Sequence, residues 1–445
     1  MKTDKNKQEE KKTTMVLERL KGTRDFLPAE KIIRNNIVAA LRKTFEKYGY
    51  NPLETPAIEK LTTLTSKESA GTDAYKEIYK LKDLRGRKLA LRFDLTVPMC
   101  RVLATNLQIA KPFKRYQIGR AWRDGPTKVG RYKEFWQCDF DIAGAKSVCA
   151  DAEVPAIFTD VFKTLGLKVI IKVNNRKLIN GVLKYSGLPK AKWMGAIMSL
   201  DKLAKIGRDE VMDDARERGI DEDYMVKILD ILEQDGSNTE LLRRIANLIT
   251  NEEAKEGLQE IKDLLKYASK LGAKDVQFAP SLARGLAYYT GPVFEVFLKS
   301  KKFKSSLAAG GRYDGLVKTL SKGEVDLPAT GASFGLDTIY DALRIETKLP
   351  LKKSVVKVFV VPIGPTLIDS LSILKKLREA NINADIDLVG RAPSRNFNYV
   401  DNQGIPYALV VGKRELAKGK VTLKDMIKGT ERLVTIEQAI KIAMQ

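Results

Sequence analysis

The stretch Gly119-Arg120-Ala121-Trp122-Arg123-Asp124-Gly125-Pro126-Thr127-Lys128-Val129-Gly130-Arg131-Tyr132-Lys133-Glu134-Phe135-Trp136-Gln137 decides how the rest of the chain is read. Two strand-like runs, residues 116–123 and 131–142, flank a polar loop holding Asp124, Gly125, Pro126 and Gly130. That order spells a β-hairpin with a long loop. Strand alternation puts Arg131, Lys133, Phe135, Gln137, Asp139 and Asp141 on one face of the second strand. A core strand does not spend so many polar groups on one face. The floor of a site for a charged, planar ligand does.

Working outward, four more segments stand out. Lys21-Gly22-Thr23-Arg24-Asp25-Phe26-Leu27-Pro28 and Leu91-Arg92-Phe93-Asp94-Leu95-Thr96-Val97-Pro98 precede the hairpin. Leu282-Ala283-Arg284-Gly285-Leu286-Ala287-Tyr288-Tyr289-Thr290-Gly291 and Ala309-Gly310-Gly311-Arg312-Tyr313-Asp314-Gly315-Leu316 follow it. Together with the hairpin, which is similar to their motif 2, these segments resemble the class II aminoacyl-tRNA synthetases, and in wording the histidyl-tRNA synthetases. The resemblance runs from about residue 20 to the C-terminus. It implies an α+β catalytic domain with a mainly antiparallel sheet, a helical insertion, and a C-terminal α/β domain like the anticodon-binding domains of several class II synthetases.

Composition agrees with that class. A chain of 445 residues has room for two or three domains. Its 44% hydrophobic and 30% charged residues fit a globular protein, and no apolar run is long enough to span a membrane. A net charge of +23 favours a polyanionic partner. Cys100, Cys138 and Cys149 show no paired spacing, which points to a reducing, cytoplasmic setting without a disulfide framework. There is no histidine. Imidazole catalysis and imidazole metal ligands are therefore excluded, and with three scattered cysteines no protein metal site is expected.

The expected organisation is a disordered basic tail at 1–14, a first catalytic part at 15–188, a helical insertion at 189–271, a second catalytic part at 272–346, a linker at 347–354 and an anticodon-binding domain at 355–445. Residues 30–48 carry apolar side chains at helical spacing and are stopped by Gly49. An extended run with Pro52 and Pro56 follows. By resemblance this pair is motif 1, which implies a homodimer. Residues 355–362, 367–380 and 382–388 alternate as strand, helix and strand, followed by strand runs at 407–411 and 420–424. Such alternation predicts an α/β unit with a mostly parallel sheet. Lys413, Arg414, Lys418 and Lys420 there suit RNA phosphates.

The resemblance also assigns roles. Arg123 would grip the ATP α-phosphate, as a guanidinium fits a phosphate bidentately. Arg131 would lie near the γ-phosphate or adenine, and Phe135 would stack on adenine. Asp94 and Thr96, read as neighbours on one strand face, would hold the amino group of the amino acid with Gln137. Arg284 would sit beside the α-phosphate and the substrate carboxylate. Tyr288 and Tyr289 follow it, and the second matches a hydroxyl that bonds the substrate imidazole while Asp141 faces the other ring nitrogen. A neutral imidazole has one donor and one acceptor, so a carboxylate and a phenol satisfy both ends. The implied ligands are histidine, ATP with Mg2+ and tRNA. Magnesium is expected because ATP carries it.

One position departs from the pattern. Gly331-Ala332-Ser333-Phe334-Gly335-Leu336-Asp337-Thr338-Ile339 resembles motif 3, but Thr338 stands where that motif has an arginine for the γ-phosphate. Arg131 and Arg312 are the substitutes to examine. A non-catalytic, synthetase-like regulator that binds histidine or tRNA is the alternative this position raises.

Overall fold

The structure, a computed structural model, describes residues 17–65, 76–127, 130–285, 287–300, 302–347 and 352–445. The expected tail at 1–14 and most of the expected linker's first half lie outside them. The chain divides into two compact units. One comprises the N-terminal residues up to Asp25, with Tyr48–Thr159 and Val169–Thr338; the other comprises Phe26–Lys47, Asp160–Lys168 and Ile339–Gln445.

In the first unit the strands are β1 (Asn51–Pro52), β2 (Ile58–Lys60), β3 (Lys80–Lys82), β4 (Lys88–Leu91), β5 (Phe113–Trp122), β6 (Glu134–Ala143), β7 (Val169–Asn175), β8 (Val276–Phe278), β9 (Pro292–Leu298), β10 (Ala308–Arg312) and β11 (Ala329–Gly335). Eight of them form one sheet in the order β1-β5-β6-β11-β10-β9-β7-β8. The two edge pairings, β1 with β5 and β7 with β8, are parallel, and every pairing between them is antiparallel. β2, β4 and β3 make a small second sheet.

The expected hairpin is β5–β6, in register from Phe113 opposite Ala143 to Trp122 opposite Glu134. Alternation gives β6 two unlike faces. Phe140 on one face packs against Phe158 and Phe334, with ring centroids 6.0 and 5.7 Å away. Gln137, Asp139 and Asp141 occupy the other. Gly22 and Arg24 steady the hairpin at its loop end. Gly22 O accepts from Lys133 N at 2.9 Å, Arg24 lies 3.8 Å from the Tyr132 ring centroid, and the Arg24 guanidinium pairs with Asp337.

Between β7 and β8 the chain is helical. Trp193–Leu200, Arg208–Glu217, Glu222–Leu232, Asn238–Leu248 and Glu252–Lys270 are its longer helices. Local signals start two of them: Ser237 and Glu240 form a capping box, and Asn251 accepts from Ala254 N. Their apolar faces converge with those of Arg176–Ser186 in one core that includes Val182, Leu200, Met225, Ile228, Ile245 and Ile261.

The second unit contains β12 (Val358–Pro362), β13 (Ala384–Ile386), β14 (Tyr407–Val411), β15 (Val421–Asp425) and β16 (Thr430–Val434). They form a sheet in the order β13-β12-β14-β15-β16. β12 runs parallel to β13 and β14, but β15 and β16 join antiparallel. The mostly parallel sheet expected from sequence is thus half parallel. The reason is loop length: β14 and β15 are too close in sequence for the crossover that a parallel partner needs. No helix among the described residues is long and apolar enough to cross a membrane.

Candidate active site

The polar face of β6 opens into a cavity of about 190 Å³ in the first unit. Asp94, Thr96, Arg123, Gln137, Asp141, Arg284, Tyr288 and Tyr289 all line it. Eight residues scattered from position 94 to position 289 thus meet in one cavity. Asp139, Tyr313 and the strand β10–β11 backbone complete the wall.

Backbone approach sets the floor. A Cβ added at Gly331 would overlap the Asp141 carboxylate, and one at Gly310 would overlap the Gly331 carbonyl. Only glycine leaves room for the cavity between β6, β11 and β10.

Asp141 is the most tightly held carboxylate of the floor. Arg115, its cross-strand neighbour on β5, places Nη2 2.7 Å from Asp141 Oδ2, and both residues are buried. The Tyr313 hydroxyl donates to Asp141 Oδ1. Burial pushes the Asp141 carboxyl up, against the pull of Arg115 and Tyr313. Burial also works against the Arg115 guanidinium, but Asp141 and Asp139 more than offset it, so the cation is retained. Tyr288 lies across this end, its ring 5.0 Å from Tyr289 and 6.0 Å from Tyr313. Burial raises both Tyr288 and Tyr289, which keeps the phenols protonated and able to donate.

Asp94 and Thr96 do not share a strand. β4 ends at Leu91, and Thr96 opens the helix Thr96–Thr105. Asp94 Oδ1 accepts from Val97 N at 3.1 Å, so the carboxylate ties down the helix start. Pro98 falls in the first turn, where a missing N–H costs little. The pair still meets at the cavity, by a loop and a helix start rather than by strand alternation. Arg92 gives no ion pair to Asp94; it donates to the carbonyls of Thr55 and Arg120. Burial raises the Asp94 carboxyl to about 6, against the pull of Val97 N–H and Arg123.

Two guanidinium groups supply the positive wall. Arg123 donates to Phe93 O at 3.1 Å and lies 5.0 Å from the Phe135 ring centroid. Arg284 pairs with Glu295 at 3.1 Å, an arrangement that keeps its charge despite burial. Arg176 donates to Arg284 O at 2.6 Å and so fixes the loop that carries it.

The residues expected at the ATP end are placed less centrally. Phe135 is next after Gln137 on the same face of β6 but does not line the cavity. Arg131 is half exposed and pairs with Glu77. Thr338 donates its hydroxyl to Gly335 O at 2.9 Å, within its own turn. Arg312, examined as a substitute cation, is committed elsewhere: its guanidinium grips both oxygens of buried Asp151. In the second unit, Lys413, Arg414 and Lys418 are exposed and Lys420 half-buried, gathered between β14 and β15.

Sequence reasoning passed over Arg115 and Tyr313. Arg115 was within reach, since pairing the hairpin strands sets it opposite Asp141. Tyr313 carried no signal beyond its place in a quoted segment.

A family model described as histidyl-tRNA synthetase matches residues 22–339, and one described as an anticodon binding domain matches residues 357–444. The chain belongs to the histidyl-tRNA synthetase family. Among its relatives in that family is histidine–tRNA ligase 1 of Bacillus cereus (strain ATCC 14579), 41% identical over 424 residues that cover 95% of this chain and 98% of the relative. The histidine–tRNA ligase of Pyrococcus abyssi is 34% identical over 430 residues, covering 96% and 98%. The crystal structure of the histidyl-tRNA synthetase from Nostoc sp. PCC 7120 superposes with a TM-score of 0.85 at 30% identity, covering 96% of this chain and 99% of that one.

Proposed function

We infer that this chain is a histidine–tRNA ligase that activates histidine with ATP and transfers it to the 3′ end of tRNA. The observation that carries this reading is the division of charge in the cavity. Asp94, Gln137, Asp139 and Asp141 present acceptors on the floor, while Arg123 and Arg284 present guanidinium donors on the wall. An amino acid has the complementary pattern: ammonium and ring N–H to donate, carboxylate and adenylate phosphate to accept.

In this reading a histidine carboxylate oxygen attacks the α-phosphorus of ATP, the bond to the bridging oxygen breaks, and pyrophosphate leaves. Arg123 and Arg284 offset the charge that develops on the α-phosphate, which is where preorganised cations accelerate a reaction most. The ribose hydroxyl of tRNA then attacks the carbonyl carbon and AMP leaves. The protein mainly orients the reactants, so the lack of an imidazole base is no obstacle. Magnesium arrives with the ATP phosphates, its usual ligands.

The imidazole of the substrate is assigned to the end formed by Asp141, Tyr288 and Tyr289. A neutral phenol donates to one ring nitrogen and the carboxylate accepts from the other. A pocket with both ends satisfied in this way rejects apolar side chains strongly, since they would leave buried polar groups unpaired. Thr96 joins Asp94 and Gln137 at the amino group, and Phe135 and Arg131 serve the ATP end.

The same reading takes 15–188 and 272–346 as the catalytic domain, 189–271 as its insertion and 347–354 as a linker. Residues 355–445 are the tRNA-binding domain, with Lys413, Arg414, Lys418 and Lys420 on phosphates. The enzyme is cytoplasmic and works as a homodimer through residues 34–59. The deciding experiment is ATP–pyrophosphate exchange with each of the amino acids in turn, followed by charging of tRNA. Exchange with histidine alone is expected. Histidine binding without exchange would instead make the chain a regulator.

A further inference from the structure

We propose that Asp139 is a further anchor for the α-ammonium group of the amino acid, a second carboxylate beside Asp94, Thr96 and Gln137. This rests on histidine being the substrate. Asp139 is only 3% exposed, lines the cavity, and keeps a buried Oδ1 without a hydrogen-bond partner. Gln137 Oε1, next on the same face of β6, is also buried without one.

Two other buried carboxylates of this unit have a cation at short range. Asp151 takes Arg312 on both oxygens, and Asp141 takes Arg115 and the Tyr313 hydroxyl. Of the cations around the cavity, Arg123 donates to Phe93 O, Arg284 pairs with Glu295, and Arg115 turns its Nη2 to Asp141. Asp139 lines the cavity and keeps one buried oxygen, Oδ1, without a hydrogen-bond partner. Arg115 and Ser333 offset its burial only in part, and a buried carboxylate oxygen left without a partner is costly to maintain. A ligand cation removes that cost.

Position along the strand selects which part of the ligand this is. Residues on one strand face are spaced by about 6.6 Å, so Asp139 lies midway between Gln137 and Asp141. The aromatic rings of Tyr288, Tyr289 and Tyr313 cluster at the Asp141 end, and Arg123 and Arg284 take the carboxylate and phosphate. The carbon that bears the ammonium joins the ring arm to the carboxylate, so the ammonium falls level with Asp139. Burial holds the Asp139 carboxyl at about 7, with Asp141 and Asp94 pushing in the same direction and Arg115 and Ser333 opposing. The carboxylate that forms above that value is the form an ammonium binds.

The test compares the parent protein with Asp139→Asn by calorimetry at about pH 8, using three probes. Histidine has both charged groups, histidinol keeps the ammonium without the carboxylate, and imidazole propionate keeps ring and carboxylate without the ammonium. Asp139→Asn is expected to weaken histidine and histidinol by roughly 10- to 100-fold, the loss typical of one charge-assisted hydrogen bond, and to leave imidazole propionate within about twofold. Equal losses for all three probes would mean a ring contact or a damaged site and would overturn the assignment. So would no loss for any. Asp139→Ser takes the place of the asparagine variant if that one does not fold. A parent that binds no histidine overturns the substrate reading and this one together; a parent that binds it as well as the variant does overturns this one alone.

Discussion

β6 and β14 are both interior strands of their sheets, and they handle burial in opposite ways. β14 carries Ala408, Leu409 and Val411 fully enclosed, with no charged residue between Tyr407 and Val411. β6 carries Asp139 and Asp141 enclosed to nearly the same degree. An apolar strand gains stability from burial, whereas a buried carboxylate loses its hydration and must be compensated. β14 is therefore explained by the fold alone. On β6 the fold compensates Asp141 through Arg115 and Tyr313, but leaves Asp139 Oδ1 without a partner.

The largest effect that can break this contrast comes from moving a carboxylate to the wrong strand. Leu409→Asp buries a charge with no partner, a change expected to cost more than about 4 kcal/mol and to unfold the second unit. Urea unfolding followed by tRNA charging checks it: charging should collapse while histidine-dependent exchange survives. An unfolding curve like the parent's would show that β14 tolerates what only β6 is argued to tolerate.

Removing a wall cation comes next. Arg284→Ala should lower the rate of adenylate formation by about a hundred- to a thousandfold, because the cation acts on charge that develops during reaction. Histidine affinity should change far less. Single-turnover kinetics separates the two, and comparable rates in the variant would remove Arg284 from the mechanism.

A smaller effect follows from acidity. Asp139 at about 7 and Asp94 at about 6 both become neutral as pH falls. The neutral acids hold an ammonium poorly, so histidine affinity should fall between about pH 8 and pH 5.5, approaching tenfold per unit below each value. The substrate imidazole also titrates in this range, so the informative curve is the ratio of parent to Asp139→Asn. That ratio should approach one at the acid end. A ratio independent of pH would sharpen the contrast differently, by placing the Asp139 charge outside the binding equilibrium.

The smallest effect is on stability. The folded-state value for Asp139 lies above that of an unfolded aspartate, near 3.9, so between the two values the folded chain binds more protons. Stability contributed by this group is present at low pH and is lost as pH rises through the window. Asp139→Asn should therefore raise the melting temperature of the ligand-free protein by about 1–3 °C at pH 8 and bring little change below about pH 4. A lower melting temperature at pH 8 would mark Asp139 as a structural group.

Much of this was legible in the chain itself. Period-two alternation in residues 131–142 exposed the polar face of β6 before any strand was paired, and the Arg284 segment declared itself by wording. Pairing was harder to see. Arg115 looks like any strand cation until the hairpin register sets it against Asp141. Periodicity places Thr96 on a strand, whereas the bond from Val97 N to Asp94 ties down the start of a helix there, and periodicity does not register a single local hydrogen bond. The mostly parallel second sheet failed for a similar reason: apolar runs announce strands, but loop length decides their direction. Tyr313 reaches Asp141 only through the fold.

The polar side chains in the cavity are carboxyls, phenols, hydroxyls, an amide and guanidinium groups, and none of the 445 residues is histidine. For a catalyst that loads histidine onto tRNA, this uncouples manufacture from product. A ribosome translating these residues never draws on the charged tRNA that the finished enzyme makes. When that tRNA is scarce, ribosomes halt on messages with histidine codons and pass through this one. Supply can then be rebuilt from the bottom of the shortage, since the machine that ends it requires none of what is missing.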